Sequence, residues 1–197
     1  MSSFFYTMNT ISLPYSLLAA RALLGMMLSL PFLQPVHSLP LPSFYSEWLA
    51  LLLGLLASVL SLPTFFSGKL NTLRLPHILS LPLALLTVVL MQAVGGQFAY
   101  LSSAVMVMAI LLWVGCVMFA ASVMVQCSSA ASLLCHLAKW LMFAAVLNAL
   151  FGVLQSLGVA PYLPGLVIES QLGSGVWGNL AQQNHFASYL SFGLAAT

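Results

Sequence analysis

The sequence predicts an all-α, polytopic membrane protein, and three observations carry that expectation. Hydrophobic residues make up 62% of the 197, the mean hydropathy is +1.10, and the charged side chains are 4 Lys/Arg and 2 Asp/Glu, only 3% of the chain. Soluble domains carry about 25% charged residues. So sparse a set could not keep a folded surface in water without large exposed apolar patches, while the chain is far too apolar for disorder. The formal net charge is +2 with scattered basic residues, which gives no basic stripe, so nucleic acid is excluded as a partner. Membrane lipids are the expected surroundings.

A spanning helix needs about 20 mostly apolar residues. Five such stretches fall at about residues 13–34, 48–66, 76–95, 99–125 and 132–157, and a sixth begins near 184 and runs to Thr197. The first basic residue, Arg21, already lies within the first apolar run, so the charged start of a secretory signal is missing and this segment is expected to remain as a span. Pro14 suits a first helical turn. Pro31, Pro35, Pro40 and Pro42 are expected to close the first span, Pro63 to sit near the end of the second, and Pro82 to kink the third. Ser-Leu-Pro recurs at Ser12, Ser29, Ser38, Ser61 and Ser80, at spacings too irregular for a solenoid repeat. Cys116, Cys127 and Cys135, an odd count within apolar stretches, are expected to be small packing residues. Because the sixth stretch covers only about half a membrane, the chain is expected to be the N-terminal portion of a longer multi-span protein.

Orientation follows from Lys and Arg, which favour cytoplasmic loops. Lys69 and Arg74 share the loop after the second span, and Lys139 lies close enough to the start of the fifth to snorkel to the same side. The N-terminus is therefore expected inside, with the segments around 35–47 and 158–183, which hold Glu47 and Glu169, outside.

Residues able to do chemistry cluster on that outer side. Gly178-Asn179-Leu180-Ala181-Gln182-Gln183-Asn184-His185 packs a glycine, amides and an imidazole into the entry of the sixth span. Amides and neutral imidazole can hydrogen-bond phosphate or sugar oxygens without the desolvation cost of a charge, although the same residues also serve as ordinary caps at an interface. His37 and Glu47 flank the first outward loop. Arg21, roughly two turns inside the first span, either marks a substrate path or snorkels to the inner interface. His77 and His136 are read as interfacial polar residues. No His/Cys/carboxylate spacing suits a metal, and no Gly-rich phosphate loop is present, so no metal or other cofactor is expected.

The segment Gly178-Asn179-Leu180-Ala181-Gln182-Gln183-Asn184-His185-Phe186-Ala187-Ser188-Tyr189-Leu190 resembles the Gly-Asn-Leu-x-Gln-x-Asn-His/Gln-x-Ala-x-Tyr-Leu signature of bacterial PglL-type protein O-oligosaccharyltransferases, relatives of the O-antigen ligases and polymerases. Pro31 to His37, followed by Pro40, Phe44 and Glu47, is similar to the first outward loop of that group. Weaker matches are Leu75-Pro76 with Gln92, and Trp140 with Asn148 and Gln155. Position 183 is Gln where relatives often carry Pro or Arg.

The resemblance implies transfer of a glycan from a polyprenyl-diphosphate carrier at the periplasmic face of the bacterial inner membrane, with a protein Ser/Thr hydroxyl or lipid A core as acceptor. It gives Gln182 the catalytic role, and Asn179, Asn184, His185, His37 and Glu47 contacts to substrate, to which Arg21 is added as a candidate contact from its place within the first span. In that group the key His and Arg residues lie on a later outward loop, so this segment by itself is expected to be inactive. An O-antigen polymerase is the alternative within the group. A transporter or channel subunit, or a non-enzymatic membrane remnant, is the alternative outside it.

Overall fold

A computed structural model of the chain describes residues 13–37, 44–67, 77–169, 175–180 and 182–197. Lys69 and Arg74, on which the expected orientation rests, lie outside those residues, as do Pro40, Pro42, Gly173 and Ser174. The described residues form helices and no strand: α1 Tyr15–Met27, α2 Leu30–Leu33, α3 Phe44–Phe66, α4 Ser80–Val94, α5 Leu101–Cys127, α6 Ala130–Ser156 and α7 Gln183–Ala195. Among the described residues, five segments are long and apolar enough to cross a membrane: Tyr15–Leu33, Phe44–Phe66, His77–Val94, Leu101–Cys127 and Ala130–Ser156. The all-α, multi-span expectation holds, with each boundary within a few residues of the apolar stretch that predicted it.

The helices pack in the order α7, α6, α1, α3, α5, α4, which is not their order in the chain. Helix α1 lies between α3 and α6, α3 packs on α5, α5 carries α4 on its outer side, and α6 carries α7. Leu17, Ala20, Leu24, Ala57, Ala120, Val123, Met124 and Leu133 form the buried centre of the α1/α3/α5/α6 contact. Elsewhere the helices turn large apolar side chains outward, as in Leu81, Val88, Met91, Val105 and Val146. A membrane supplies the solvent for such a surface. Among the cysteines, Cys116 and Cys135 are exposed, Cys127 is half-buried and none forms a disulfide, so two of the three do not pack inside as expected.

Small residues set the closest helix contacts, as they do wherever bundles pack in lipid. A Cβ at Gly193 would lie 2.1 Å from the Ala145 Cβ, and one at Gly25 would fall within the Trp140 indole, 2.1 Å from its Cδ1. Gly193→Leu should therefore lever α7 off α6. An overpacking cost of about 1–3 kcal/mol is expected, read as a lower unfolding temperature in detergent.

Prolines act differently from the sequence expectation in two places. Pro31 does not close the first span; the helix breaks earlier, at Leu28–Ser29, and resumes as α2 with Pro31 in its first turn. A proline ring clashes with the carbonyl four residues back and has no N–H to offer, which is why the break falls just upstream. Pro82 sits in the first turn of α4, after a 3-10 turn at His77–Leu79, rather than at a kink within the span.

Candidate functional site

The break in the first span leaves backbone carbonyls without helical partners, and at membrane depth each must be satisfied by protein. Three side chains from distant parts of the sequence supply the donors. The Tyr189 hydroxyl of α7 donates to the Leu28 carbonyl at 2.7 Å, Asn148 Nδ2 of α6 to the Phe32 carbonyl at 3.0 Å, and Asn179 Nδ2 to the Leu33 carbonyl at 2.7 Å. The Tyr189 ring also stacks on Phe32, with centroids 4.6 Å apart. The end of the first span is thereby fixed to α6, to α7 and to the segment between them.

That segment is held by a polar stripe on α6. Asn148, Gly152 and Gln155 are spaced i, i+4 and i+7, which puts them on one face. Buried Gln155 makes four hydrogen bonds. Its Nε2 donates to the carbonyls of Gly178 at 2.7 Å and Ile168 at 2.9 Å, and its Oε1 accepts from the N–H groups of Gly178 at 2.9 Å and Trp177 at 3.2 Å. Asn148 Oδ1 accepts from the Asn179 N–H at 3.3 Å. Gly178 has φ +56°, and a Cβ there would meet the Phe186 ring at 2.8 Å and the Asn148 carbonyl at 3.1 Å. Glycine thus suits both the left-handed backbone and the close approach to α6. Between the two amides, a Cβ at Gly152 would come within 2.8 Å of Phe186.

Below this frame opens a cavity of about 620 Å³, lined by Pro31, Phe32, His37, Ser46, Glu47, Ala50, Asn179, Leu180, Gln182 and His185. Five residues singled out in the sequence therefore meet there: His37, Glu47, Asn179, Gln182 and His185. Gln34 braces the lining residue Ser46, with its Nε2 donating to Ser46 Oγ at 2.8 Å and its Oε1 accepting from the Val36 N–H at 2.9 Å. This pins the exit from α2 to the first turn of α3, where Glu47 sits near the positive end of the helix dipole. His37 Nδ1 is buried in the wall with no partner. Gln182 is the N-cap residue of α7 and its side chain caps nothing, so its amide is not spent on the helix it begins. The amino end of α7 borders the cavity and adds partial positive charge to a space lined by two imidazoles and one carboxylate.

The remaining candidates behave otherwise. Asn179 lines the cavity but is buried, and its amide works as a strut: beside the Leu33 bond, Nδ2 donates to the Leu166 carbonyl at 2.8 Å and Oδ1 accepts from the Ile168 N–H at 3.1 Å. Both of its amide hydrogens are used. Asn184 is exposed on the first turn of α7 and is not among the lining residues. Arg21 is not brought to the cavity. Its Nη2 donates to the backbone carbonyl of Ser132 and, at 3.0 Å, to Ser132 Oγ, and ten residues separate it from the cavity-lining Phe32. Sequence reasoning assigned no role to Asn148 and Gln155, whose i, i+7 spacing in an otherwise apolar span was the available signal.

Aromatic side chains mark the depth of the cavity. Tyr45, Trp48, Tyr100 and Tyr162 are exposed and belong to helix ends or turns on the cavity side of the bundle, the amphipathic rim expected at a membrane–water interface. The described residues contain no His/Cys/Asp/Glu group able to hold a metal ion.

Comparison with known proteins bears on the cavity wall itself. The protein glycosylation ligase family model PglL_A matches residues 176–197, that is, Gly178–Leu180, Gln182 and α7. Over 173 residues, 87% of this chain, the sequence is 30% identical to a general O-oligosaccharyltransferase of Acinetobacter baylyi. The sequence is similar to PglL-type proteins. The chain spans about 29% of the length of that relative. No solved structure matches. The matched segment is the one that Gln155, Asn148 and Asn179 hold against the end of the first span, so the match and the cavity coincide.

Proposed function

We infer that the chain forms the donor-binding part of a membrane glycosyltransferase that moves a glycan from a polyprenyl-diphosphate carrier to a Ser/Thr hydroxyl of a protein, at the periplasmic face of the bacterial inner membrane. One observation carries this reading: His37, Glu47, Gln182 and His185 line a single cavity at the interfacial end of the bundle, on the segment that the glycosylation-ligase model matches.

The chemistry fits the lining. In glycan transfer the acceptor oxygen bonds to the anomeric carbon, the bond from that carbon to the diphosphate oxygen breaks with its electron pair, and the hydroxyl proton passes to a base. Negative charge grows on the leaving diphosphate. Preformed donors stabilise it best where water is scarce. The Gln182 amide, the two imidazoles and the amino end of α7 are such donors, and they face the diphosphate and first sugar. Glu47 would repel a diphosphate, so it takes the sugar or acceptor hydroxyls. Among the described residues no Lys or Arg lines the cavity, and the resemblance places the cationic groups and the key His on a later outward loop.

Lipid A core as acceptor, or a growing glycan as in a polymerase, uses the same donor and so the same cavity. A transporter finds less support. The broken first span, which in a transporter would expose carbonyls to an ion, has those of Leu28, Phe32 and Leu33 taken by Tyr189, Asn148 and Asn179.

Two experiments test the assignment. Expression of the complete coding region in cells supplying lipid-linked glycan and an exported acceptor protein should shift the acceptor mass by one glycan. Glycan on lipid A core instead, or longer glycans on the carrier, would reassign the acceptor. For orientation, reporter fusions after Phe44 and after Gly173 should read periplasmic and one after Asn71 cytoplasmic. The opposite pattern would put the cavity on the wrong side for an exported acceptor.

A further inference from the structure

At the end of the bundle away from the cavity, α1 and α6 run side by side with their charged residues in one seam. Ser132, His136, Lys139 and Phe143 follow i, i+4, i+7, i+11 on α6 and share a face. Arg21 of α1 bonds to Ser132 from across the seam, and its own carbonyl lies 3.0 Å from His136 Nε2. The Trp140 indole Nε1–H is directed at the same nitrogen, 3.1 Å away, so the imidazole is shared between α1 and its own helix. Trp140 closes the inner side, with Gly25 of α1 against its indole and its ring edge-on to Phe143 at 6.5 Å. Lys139, Trp140 and Phe143 line an open groove of about 290 Å³ on the outer surface.

The charges of this seam have no acidic partner. Arg21 is met by a neutral carbonyl and hydroxyl, and its Nε is buried without a partner. Lys139 is exposed on the membrane-spanning surface of α6, and no ion pair to it occurs among the described residues. The only two acids in the sequence, Glu47 and Glu169, lie at the opposite end of the bundle. Lys139 is nine residues into α6, about 14 Å along its axis at 1.5 Å per residue. A helix of 27 residues is about 40 Å long against a hydrocarbon core of about 30 Å. The Lys139 backbone thus lies roughly 9 Å below the boundary, and because helical side chains lean toward the amino end, its stem carries the ammonium toward the headgroups. A cation held there is costly unless an anion meets it.

We propose that the groove at Lys139, Trp140 and Phe143, backed by Arg21, is a binding site for an anionic phospholipid, with the headgroup phosphate on Lys139 and an acyl chain along the two rings. The occupant follows from charge complementarity and from location: cations without acids, at headgroup depth, beside an apolar trough that opens to the bilayer. Basic pockets of this kind between membrane helices take acidic lipid headgroups. The inference is independent of the reaction assigned to the cavity.

Native mass spectrometry of the purified chain in an uncharged maltoside, after incubation with an equimolar mixture of phosphatidylglycerol and phosphatidylethanolamine, tests it. Phosphatidylglycerol should be retained preferentially. K139Q should lower its retention about fivefold, the scale of one interfacial cation, and K139R should keep it. Lys139 is exposed, so neither change disturbs packing. Equal retention of the two lipids, an unaffected K139Q, or a K139R that loses as much as K139Q would each overturn the site. A benzoyl-phenylalanine at position 143 in the complete protein should crosslink to lipid. An adduct within the protein instead would mean that another helix covers the groove, and would equally overturn it.

Discussion

Gln155→Leu is expected to release the segment that forms the cavity wall. The substitution leaves the N–H groups of Trp177 and Gly178 and the carbonyls of Ile168 and Gly178 without their partner. Each buried polar group left unpaired costs about 1–3 kcal/mol. Water reaching the loosened segment recovers part of that, so a net loss of about 3 kcal/mol is expected, or a fall in unfolding temperature of roughly 6–12 °C for a chain of this size. The local signature separates this from general damage. The amides of Trp177 and Gly178 should exchange with deuterium far faster in the variant, while those in the middle of α5 keep their protection. Gln155→Glu should not rescue, since a carboxylate retains the acceptor but faces the Ile168 and Gly178 carbonyls with no hydrogen to give. Unchanged exchange at Trp177 and Gly178 in both variants would mean that the segment is held by something other than Gln155.

The second large effect is expected at Gln182. In the complete protein, Gln182→Ala should reduce glycan transfer by about one to two orders of magnitude, the scale of one oriented donor to the leaving group or somewhat below it. Asn184→Ala, two residues on, should change it little, because Asn184 lies off the cavity. The contrast is the informative part: the family signature marks both positions, whereas the cavity includes only one. If the lost donor acts in the transition state, kcat should fall with kcat/KM, and a rise in KM alone would make Gln182 a ground-state contact. Membrane levels of both variants need to match, since Gln182 opens α7 and a destabilised helix would imitate a catalytic defect.

Much of the architecture was legible because the bilayer imposes one simple rule, about 20 apolar residues per crossing. Every span in Tyr15–Ser156 appears where the apolar run lies. What a span does internally was less legible. Pro31 signalled a helix end, but the break at Leu28–Ser29 and the resumption in α2 depend on whether other side chains can satisfy the freed carbonyls, and those side chains, Asn148, Asn179 and Tyr189, are 116 to 161 residues or bonds of sequence away in the pairs Phe32–Asn148, Leu33–Asn179 and Leu28–Tyr189. For the same reason Asn179 resembles a ligand contact in sequence, whereas its amide is committed to backbone carbonyls. Arg21 left two readings open, and the structure gives it Ser132 rather than the cavity. His37 and Glu47, by contrast, were placed with Gln182 and His185 by the loop resemblance, and Gln34 bonding to Ser46 is the local device that brings their loop to α7.

Direct binding of donor to the cavity is the most immediate test of the central claim. A polyprenyl-diphosphate oligosaccharide with a shortened lipid should be titrated calorimetrically in detergent against the wild-type protein and the Gln182→Ala, His185→Ala and Asn184→Ala variants. If the cavity between α2, α3 and α7 receives the diphosphate and first sugar, Gln182→Ala and His185→Ala should each weaken binding by about 1–2 kcal/mol, roughly five- to thirtyfold, and Asn184→Ala should bind as wild type. Equal affinity in all four proteins would contradict the assignment of this cavity to the donor.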